Sequence, residues 1–256
     1  MQGNLVHHHG ARQMTKWKKF LAVSCSHGHL ADPRACAAAI QFKARWKPDI
    51  TLHLGDLFDM AALRSGALKS PDSADRATSI SDDFSVGIKF LQELAPNVLC
   101  LGNHDWRLWE LAKSPNAVVS YCCNQAIGQL NDACREIKCY TKPYDIEKGW
   151  VELGPGLAGH GWMFNEMAVR DHVEMVKRPI IIGHLHRVDR AAGRSLGAPL
   201  GWSIGALANF GEMHYARRNR SLTRWTQGIA WGEYNDRNLQ VHVLTPNQDG
   251  SWRFPI

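Results

Sequence analysis

The stretch FLAVSCSH, residues 20–27, sets a buried strand directly beside reactive side chains. Four apolar residues in succession predict a strand that is covered on both faces. The thiol and the imidazole that follow come where this strand ends. They are either metal ligands or ordinary loop residues beside a buried thiol, and these eight residues leave both interpretations open.

Similar apolar strands alternate with helical segments in the first part of the chain. The predicted strands are residues 17–25, 49–56 and 97–105, and the predicted helices are residues 31–47 and 81–95. This alternation predicts a parallel sheet with crossover helices. Residues 60–80 are small and polar, so we expect a long loop there, which could form a wall or lid over a site.

The second part of the chain mixes helices with short strands. Residues 106–114 and 116–137 read as helices, residues 165–178 as a helix capped by Asn165, and residues 179–188 as a strand. From Gly201 onward, short alternating segments predict a β-rich second layer. We therefore predict an α/β fold, a four-layer α-β-β-α sandwich of two mixed sheets packed face to face with helices outside. It would form one domain over residues 17–256, preceded by a flexible arm at residues 1–16.

Composition sets broad limits on location and partners. The chain has 256 residues, 45% of them hydrophobic, and a net charge of +6, which fits either a phosphate-bearing partner or an ordinary basic protein. It has no apolar run long enough for a membrane span and no apolar core of a signal peptide, so we expect a cytoplasmic protein with free thiols. The histidines at positions 7–9 are left out of the site. Four cysteines fit no zinc-binding spacing; they are Cys122, Cys123, Cys134 and Cys139.

Five predicted strand ends are followed by side chains with nitrogen, oxygen or sulfur donors. They supply Cys25 and His27; Asp56 and Asp59; Asn103, His104 and Asp105; His160; and His184 and His186. Singly, each is explained by a turn, a loop histidine or a helix cap. Together they indicate a metal site, because the carboxyl ends of parallel strands line one crevice. Glycine precedes four of these clusters, where we expect it to allow a sharp turn; the residues are Gly55, Gly102, Gly159 and Gly183.

The linked order C-x-H, G-D-x-x-D, G-N-H-D, H, G-H-x-H resembles the calcineurin-like metallophosphoesterases over roughly residues 19–190. The aromatic tail after Ser203 resembles that of phage and bacterial members. The resemblance implies two divalent metal ions, Mn, Zn or Fe, and a hydroxide bridging them as the nucleophile. One ion would be held by Cys25, His27, Asp56 and His186, the other by Asp56, Asn103, His160 and His184. His104 would be the general acid, oriented by Asp105, and Asp59 a support residue.

Cys25 departs from the family pattern, which begins with aspartate. RNA lariat-debranching enzymes also begin with cysteine, in the form C-x-H-G, which residues 25–28 match. A thiolate favours Zn or Fe at this position. The alternative is that Cys25 is a tolerated small residue and the first metal site is weak or empty. His29 either faces substrate phosphate or caps the next helix, and we favour the cap.

The substrate is predicted from a basic stretch at residues 214–225. Arg217, Arg218 and Arg220 lie there with aromatic neighbours, a combination typical of phosphate and base contacts, although a solvated basic loop is the alternative. We predict a metal-dependent phosphoesterase acting on a phosphodiester such as DNA or RNA. The alternatives are a protein or nucleotide phosphomonoesterase and a non-catalytic metal-binding scaffold.

Overall fold

The computed structural model describes residues 16–63, 80–213 and 224–256, and the structural statements below refer to these ranges. Three predicted features lie partly or wholly outside them. They are the N-terminal arm, most of the loop at residues 60–80, and the arginines 217, 218 and 220.

The first sheet has six strands in the order β11-β10-β1-β2-β3-β4. Its parallel strands are β1 (Lys18–Val23), β2 (Ile50–His53), β3 (Val98–Cys100) and β4 (Tyr140–Lys142). The antiparallel pair β10 (Ile229–Tyr234) and β11 (Leu239–Leu244) extends the sheet beyond β1. Its helices are α1 (Pro33–Trp46), α2 (Ile80–Leu94), α3 (Asn103–Leu111) and α4 (Ala117–Glu136).

The second sheet has five strands in the order β5-β6-β7-β9-β8. They are β5 (Trp150–Leu153), β6 (Gly156–Gly159), β7 (Ile180–Ile182), β8 (Val188–Ala192) and β9 (Leu200–Ile204), with helix α5 at Ala168–Val176. The expectation that the whole tail builds a second layer is wrong in part. Only β9 belongs to the second sheet, whereas β10 and β11 join the first, where β10 pairs with the otherwise open edge of β1.

Three apolar cores separate four layers and confirm the predicted sandwich. Side chains alternate along β1, so Phe20 and Ala22 face the second sheet while Leu21 and Val23 face the helices. The core between the sheets includes Leu52 and, from the second sheet, residues such as Ile181 and Ile204. The two outer cores lie between the first sheet and helices α1, α2 and α4, and between the second sheet and α5.

Helix starts show where local sequence signals succeed and fail. Asp32 caps α1 by accepting a hydrogen bond from the Arg34 N–H at 2.8 Å, next to Pro33 at the first helical position. Asn165 does not cap α5 as expected. It accepts from the Met167 N–H at 2.8 Å in a preceding turn, and the helix begins at Ala168.

The sequence predicts that four of the cysteines do not bind zinc and that no segment spans a membrane. The following observations on these two points cover the described residues only. Cys122, Cys123 and Cys134 lie in α4 and Cys139 just after it, and none belongs to the groups of potential metal ligands found in the described ranges. No described helix combines the length and apolar character that crossing a membrane requires.

Candidate metal centre

The predicted ligands meet where strands β1, β2, β3, β6 and β7 end. Their donor atoms form three overlapping groups, and within each group all of them lie within 4.8 Å of one another. The groups are Cys25, His27, Asp56 and His186; Asp56, His160 and His184; and His27, Asp59 and His104. Asp56 belongs to two groups, so its carboxylate has the position that a shared ligand requires.

All four residues of the first group are buried. Nε2 of His27 lies 2.9 Å from Nε2 of His186 and 3.8 Å from Oδ2 of Asp56. Nδ1 of His27 contacts Oδ1 of Asp59 at 2.9 Å, which fixes the ring and leaves Nε2 directed at the group. A carboxylate behind an imidazole in this way is the usual arrangement for a metal-binding histidine.

Cys25 lies in the same group with its side chain wholly buried. Its Sγ is 2.9 Å from Oγ of Ser24, and it accepts a hydrogen bond from the His184 N–H at 3.3 Å. Burial and the nearby Asp56 carboxylate raise the pKa of the thiol well above its usual value. Without a cation, Cys25 is therefore an uncharged thiol, and metal binding there must release a proton.

The second group surrounds the other side of Asp56. Nε2 of His160 lies 3.3 Å from Oδ2 of Asp56 and 3.1 Å from Oδ1 of Asn103, while its Nδ1 donates to the Leu54 carbonyl at 2.7 Å. This last bond fixes the orientation of the ring, so Nε2 is the atom that faces the other donors. His184 packs edge to face on the His160 ring, with ring centroids 5.0 Å apart.

The donor set fits divalent metal ions. Nε2 of His184 and Nδ1 of His186 are buried and have no hydrogen-bond partner among the described residues. Burial lowers the pKa of His184 to about 3 and that of His186 well below its usual range, so both rings are neutral and keep a lone pair at neutral pH. Neutral imidazoles with carboxylate, amide and thiol groups suit Zn, Fe and Mn.

The backbone at this centre is unusual. Five predicted ligands adopt the left-handed conformation with φ between 52° and 61°, a region that residues other than glycine rarely enter; they are Cys25, His27, Asp56, His184 and His186. Strained conformations of this kind cluster at functional sites, where the surrounding packing holds them in place. The ends of β1, β2 and β7 are thus bent to turn their donors toward one point.

Of the four glycines before the clusters, only Gly55 has a positive φ, and Gly102 has a different role. Gly55 has φ of +95° and makes the expected sharp turn, whereas Gly102 has an ordinary φ of −94°. A Cβ on Gly102 would lie 2.8 Å from Cγ of Asp56 and closer still to its Oδ1 and backbone N. Gly102 therefore allows close approach of β3 to the shared carboxylate rather than a turn.

His104 sits at the mouth of the centre, at the start of α3. Its Nδ1 lies 2.6 Å from the Asp59 carbonyl and 3.4 Å from Oδ1 of Asp59. Burial disfavours the protonated ring, but the negative charges of Asp56 and Asp59 outweigh this and raise the pKa of His104. Arg107, one turn further along α3, donates to the carbonyls of Asp59 and Met60 at 2.9 and 3.1 Å.

Asp105 does not orient His104 as the resemblance implied. Its buried carboxylate accepts hydrogen bonds from the N–H groups of Gly102, Phe58 and Leu57 at 2.8, 3.0 and 3.3 Å. Burial, reinforced by Asp56, raises the pKa of Asp105 to about 6. Asp105 thus holds together the loops that carry Asp56 and Asn103, and Asp59 contacts His104 instead.

His29 is likewise not a helix cap, because Asp32 has that role. Its Nδ1 lies 3.2 Å from Oδ1 of Asp83, and this hydrogen bond raises the pKa of His29. Asp83, in the first turn of α2, also accepts from the N–H groups of Asp59 and Met60 at 3.1 and 2.7 Å. Asp83 and Arg107 support the Asp59 loop, and sequence reasoning missed both, because charged residues on a helix are ordinarily solvated.

Comparison with known proteins extends these findings. The profile of the calcineurin-like phosphoesterase family matches residues 18–188. No curated protein matches the chain. Similar solved structures include a metallophosphoesterase from Sphaerobacter thermophilus (14% identity, TM-score 0.48, covering 89% of this chain and 88% of that one). Others are an uncharacterized predicted phosphoesterase from Streptococcus pneumoniae TIGR4 (17%, 0.39, 94% of each chain) and Yfce, a phosphoesterase from E. coli (14%, 0.37, 90% and 100%).

The sandwich and the donor groups at its strand ends define a class of protein, the metal-dependent phosphoric ester hydrolases. Because the family profile spans more than half of the 256 residues, the chain belongs to the calcineurin-like phosphoesterase family. Membership implies divalent metal ions as cofactors and a phosphate ester as substrate.

Proposed function

We propose that this phosphoesterase hydrolyses phosphodiesters at a centre for two metal ions. The observation that carries the proposal is the convergence of three donor groups, two of which share Asp56. One ion would bind Cys25, His27, Asp56 and His186, and the other would bind Asp56, Asn103, His160 and His184. When bound, such ions supply Lewis acidity toward the phosphoryl oxygens and lower the pKa of coordinated water.

The chain itself supplies the proton for the departing oxygen. Nδ1 of His104 is engaged by Asp59, so Nε2 is the atom that can deliver a proton. The Asp59 carboxylate beside Nδ1, which is not a proposed metal ligand, favours the protonated form of the His104 ring. Arg107 and Asp83 hold the Asp59 loop against this ring, which keeps the acid in place for the reaction.

Aromatic residues beside the centre favour a phosphodiester over a monoester. Phe210 and Trp225 lie against His186, with ring centroids 6.3 and 4.6 Å away. The arginine-rich stretch, with its predicted substrate residues Arg217, Arg218 and Arg220, lies between them in sequence. Stacking surfaces next to arginines suit a chain of nucleotides, DNA or RNA.

The first test compares two chromogenic substrates in the presence of added Mn, Zn or Fe. We expect faster hydrolysis of bis-p-nitrophenyl phosphate, a diester, than of p-nitrophenyl phosphate. The reverse preference would favour a phosphomonoesterase. Failure of the folded, metal-loaded protein to hydrolyse either substrate would favour a non-catalytic scaffold.

The role of His104 is tested by a leaving-group comparison. His104→Ala should lower kcat by about 10²- to 10⁴-fold on a diester with an alkoxide leaving group, which needs a proton to depart. The loss should be much smaller with p-nitrophenolate, a stable anion. His242→Ala, at an exposed position on β11, is the matched control and should behave as wild type. Equal losses for both leaving groups would contradict a general-acid role.

The choice of metal at Cys25 is a separate question. We propose that its thiolate selects Zn or Fe over Mn, since sulfur is a softer donor than a carboxylate. Metal analysis of wild type, Cys25→Asp and Cys25→Ala after equal loading would test this. We expect Cys25→Asp to shift toward Mn and Cys25→Ala to retain less metal. Identical metal content in all three proteins would exclude Cys25 as a ligand.

A further inference from the structure

A cavity of about 260 Å³ lies beside the metal centre, on the side of the second sheet. Its walls are mainly apolar and aromatic, and they include Tyr144, Ile146, Trp150, His160 and Trp162. We call this cavity the aromatic pocket. This volume is slightly below the usual size range of ligand pockets, which suits one ring system rather than a whole drug-sized molecule.

His160 is the link between the aromatic pocket and the metal centre. Its ring forms part of the pocket wall and packs edge to face on Tyr144, with ring centroids 5.8 Å apart. The same ring places Nε2 3.3 Å from Oδ2 of Asp56. The aromatic pocket and the metal centre therefore adjoin each other, on two sides of one imidazole ring.

The pocket walls are held rigidly before any ligand binds. Trp150 donates its indole N–H to the Ile146 carbonyl at 2.8 Å and packs edge to face on Trp162, with ring centroids 5.7 Å apart. Asp145 accepts from the N–H groups of Glu147 and Lys148, each at 2.8 Å, which closes the loop between β4 and β5 into a tight turn. A ligand would therefore lose little binding free energy to the ordering of these side chains.

The metal centre and the aromatic pocket suit substrate groups of different charge. The metal centre is suited to an anionic phosphate, whereas the described residues that line the pocket are mainly apolar and aromatic and include no lysine or arginine that would attract a second anion. The pocket suits a neutral, planar group that can pack on aromatic rings and donate hydrogen bonds. Nucleobases have these properties, and they bind aromatic side chains with little dependence on sequence.

We propose that the aromatic pocket binds the nucleobase of a nucleotidyl phosphodiester whose phosphate lies at the metal centre. This inference rests on the phosphodiesterase function proposed above and narrows its substrate class. It assigns Tyr144, Trp150 and Trp162 to the recognition of the substrate rather than to the chemical step.

A kinetic test uses two diesters with the same leaving group. Thymidine 5′-(p-nitrophenyl phosphate) carries a base on the retained side, and methyl p-nitrophenyl phosphate carries none. We expect wild type to prefer the nucleotidyl ester in kcat/KM, and Tyr144→Ala to reduce this preference about tenfold, the loss typical of one base–aromatic contact. Tyr144→Phe keeps the ring and should keep the preference. Tyr140→Ala, at an exposed position on β4, should match wild type.

A binding test separates the pocket from catalysis. Thymidine, which has no phosphate, should shift the ¹⁵N-indole resonances of Trp150 and Trp162 in a saturable manner, and deoxyribose 5-phosphate should not. The shifts should disappear in Tyr144→Ala and persist in Tyr144→Phe. Unmoved resonances, or equal kcat/KM for both diesters in wild type, would overturn the nucleobase site while leaving the phosphodiesterase function intact. Saturable shifts without hydrolysis of any diester would refute that function and support the base site.

Discussion

Replacing Gly102 by alanine tests whether the shared carboxylate controls activity. The new Cβ would lie 2.8 Å from Cγ of Asp56 and nearer still to Oδ1, whereas ordinary contacts of this kind begin at 3.4 Å. Because the clash involves the Asp56 backbone N as well as its carboxylate, relieving it must move Asp56 and Gly102 apart by about 1 Å, which displaces the carboxylate from the other donors. A displacement of that size at a reacting centre costs roughly 100-fold in rate.

The change should affect the centre more than the fold. We expect Gly102→Ala to lower the free energy of unfolding by about 1–3 kcal/mol, the usual cost of overpacking. Hydrolysis of bis-p-nitrophenyl phosphate should fall about 100-fold, and the metal retained after dialysis should decrease. Urea unfolding, metal analysis and steady-state kinetics on one protein preparation measure all three.

Gly128→Ala is the matched control. Gly128 is exposed in the middle of α4, and a Cβ there meets nothing within 4 Å. Alanine should stabilise the helix by about 0.5–1 kcal/mol and leave metal content and activity unchanged. Wild-type activity in Gly102→Ala would refute the reasoning, because it would mean that Asp56 tolerates displacement. Loss of activity in Gly128→Ala would show that the effect is not local.

Three further predictions concern stability. Asp83→Asn should lower the free energy of unfolding in urea by about 2–3 kcal/mol, because the Asp59 and Met60 N–H groups lose a charged acceptor. The control variant Asp132→Asn, at an exposed position on α4, should change this free energy by less than about 0.5 kcal/mol. Burial lowers the pKa of His172, so unfolded chains bind its proton first and stability should fall as pH drops below about 6.5. In His172→Gln this decline should be shallower, and an equal slope would contradict the reasoning. Chelation should lower Tm reversibly, less so in Cys25→Ala.

The layered fold could be predicted from the sequence because its signals are local. Apolar runs such as residues 20–23 identify strands, and Pro33 after Asp32 identifies a helix start. The assignment of β10 and β11 to the first sheet could not be predicted this way. Alternation along residues 229–244 shows that they form strands, but it does not say which strand they pair with.

The candidate centre could likewise be predicted only in part: its ligands could, but the residues that support them could not. Each ligand follows a strand directly, so chain order alone collects Cys25, Asp56 and His160 at one edge. The partners that orient them depend on contacts between distant loops. Asp83 supports Asp59 across 24 positions of sequence, and Asp105 accepts backbone N–H groups from the loop after β2 instead of touching its neighbour His104.

The aromatic pocket had no sequence signal of its own. Tyr144, Trp150 and Trp162 are spread over a segment that reads only as turns and short strands, and aromatic residues at such spacing are ordinarily core. Their grouping depends on the pairing of β5 with β6, which sets Trp150 opposite Gly159, next to His160.

The left-handed backbone of the five donors has a consequence for sequence drift. A non-glycine residue in this conformation costs about 1 kcal/mol, a cost that alanine would keep while losing the donor. Glycine removes most of this cost, and asparagine part of it. A descendant that kept the sandwich but abandoned hydrolysis should therefore accumulate glycine and asparagine at positions 25, 27, 56, 184 and 186. Such a pattern would identify lapsed members of the family from sequence, without an assay.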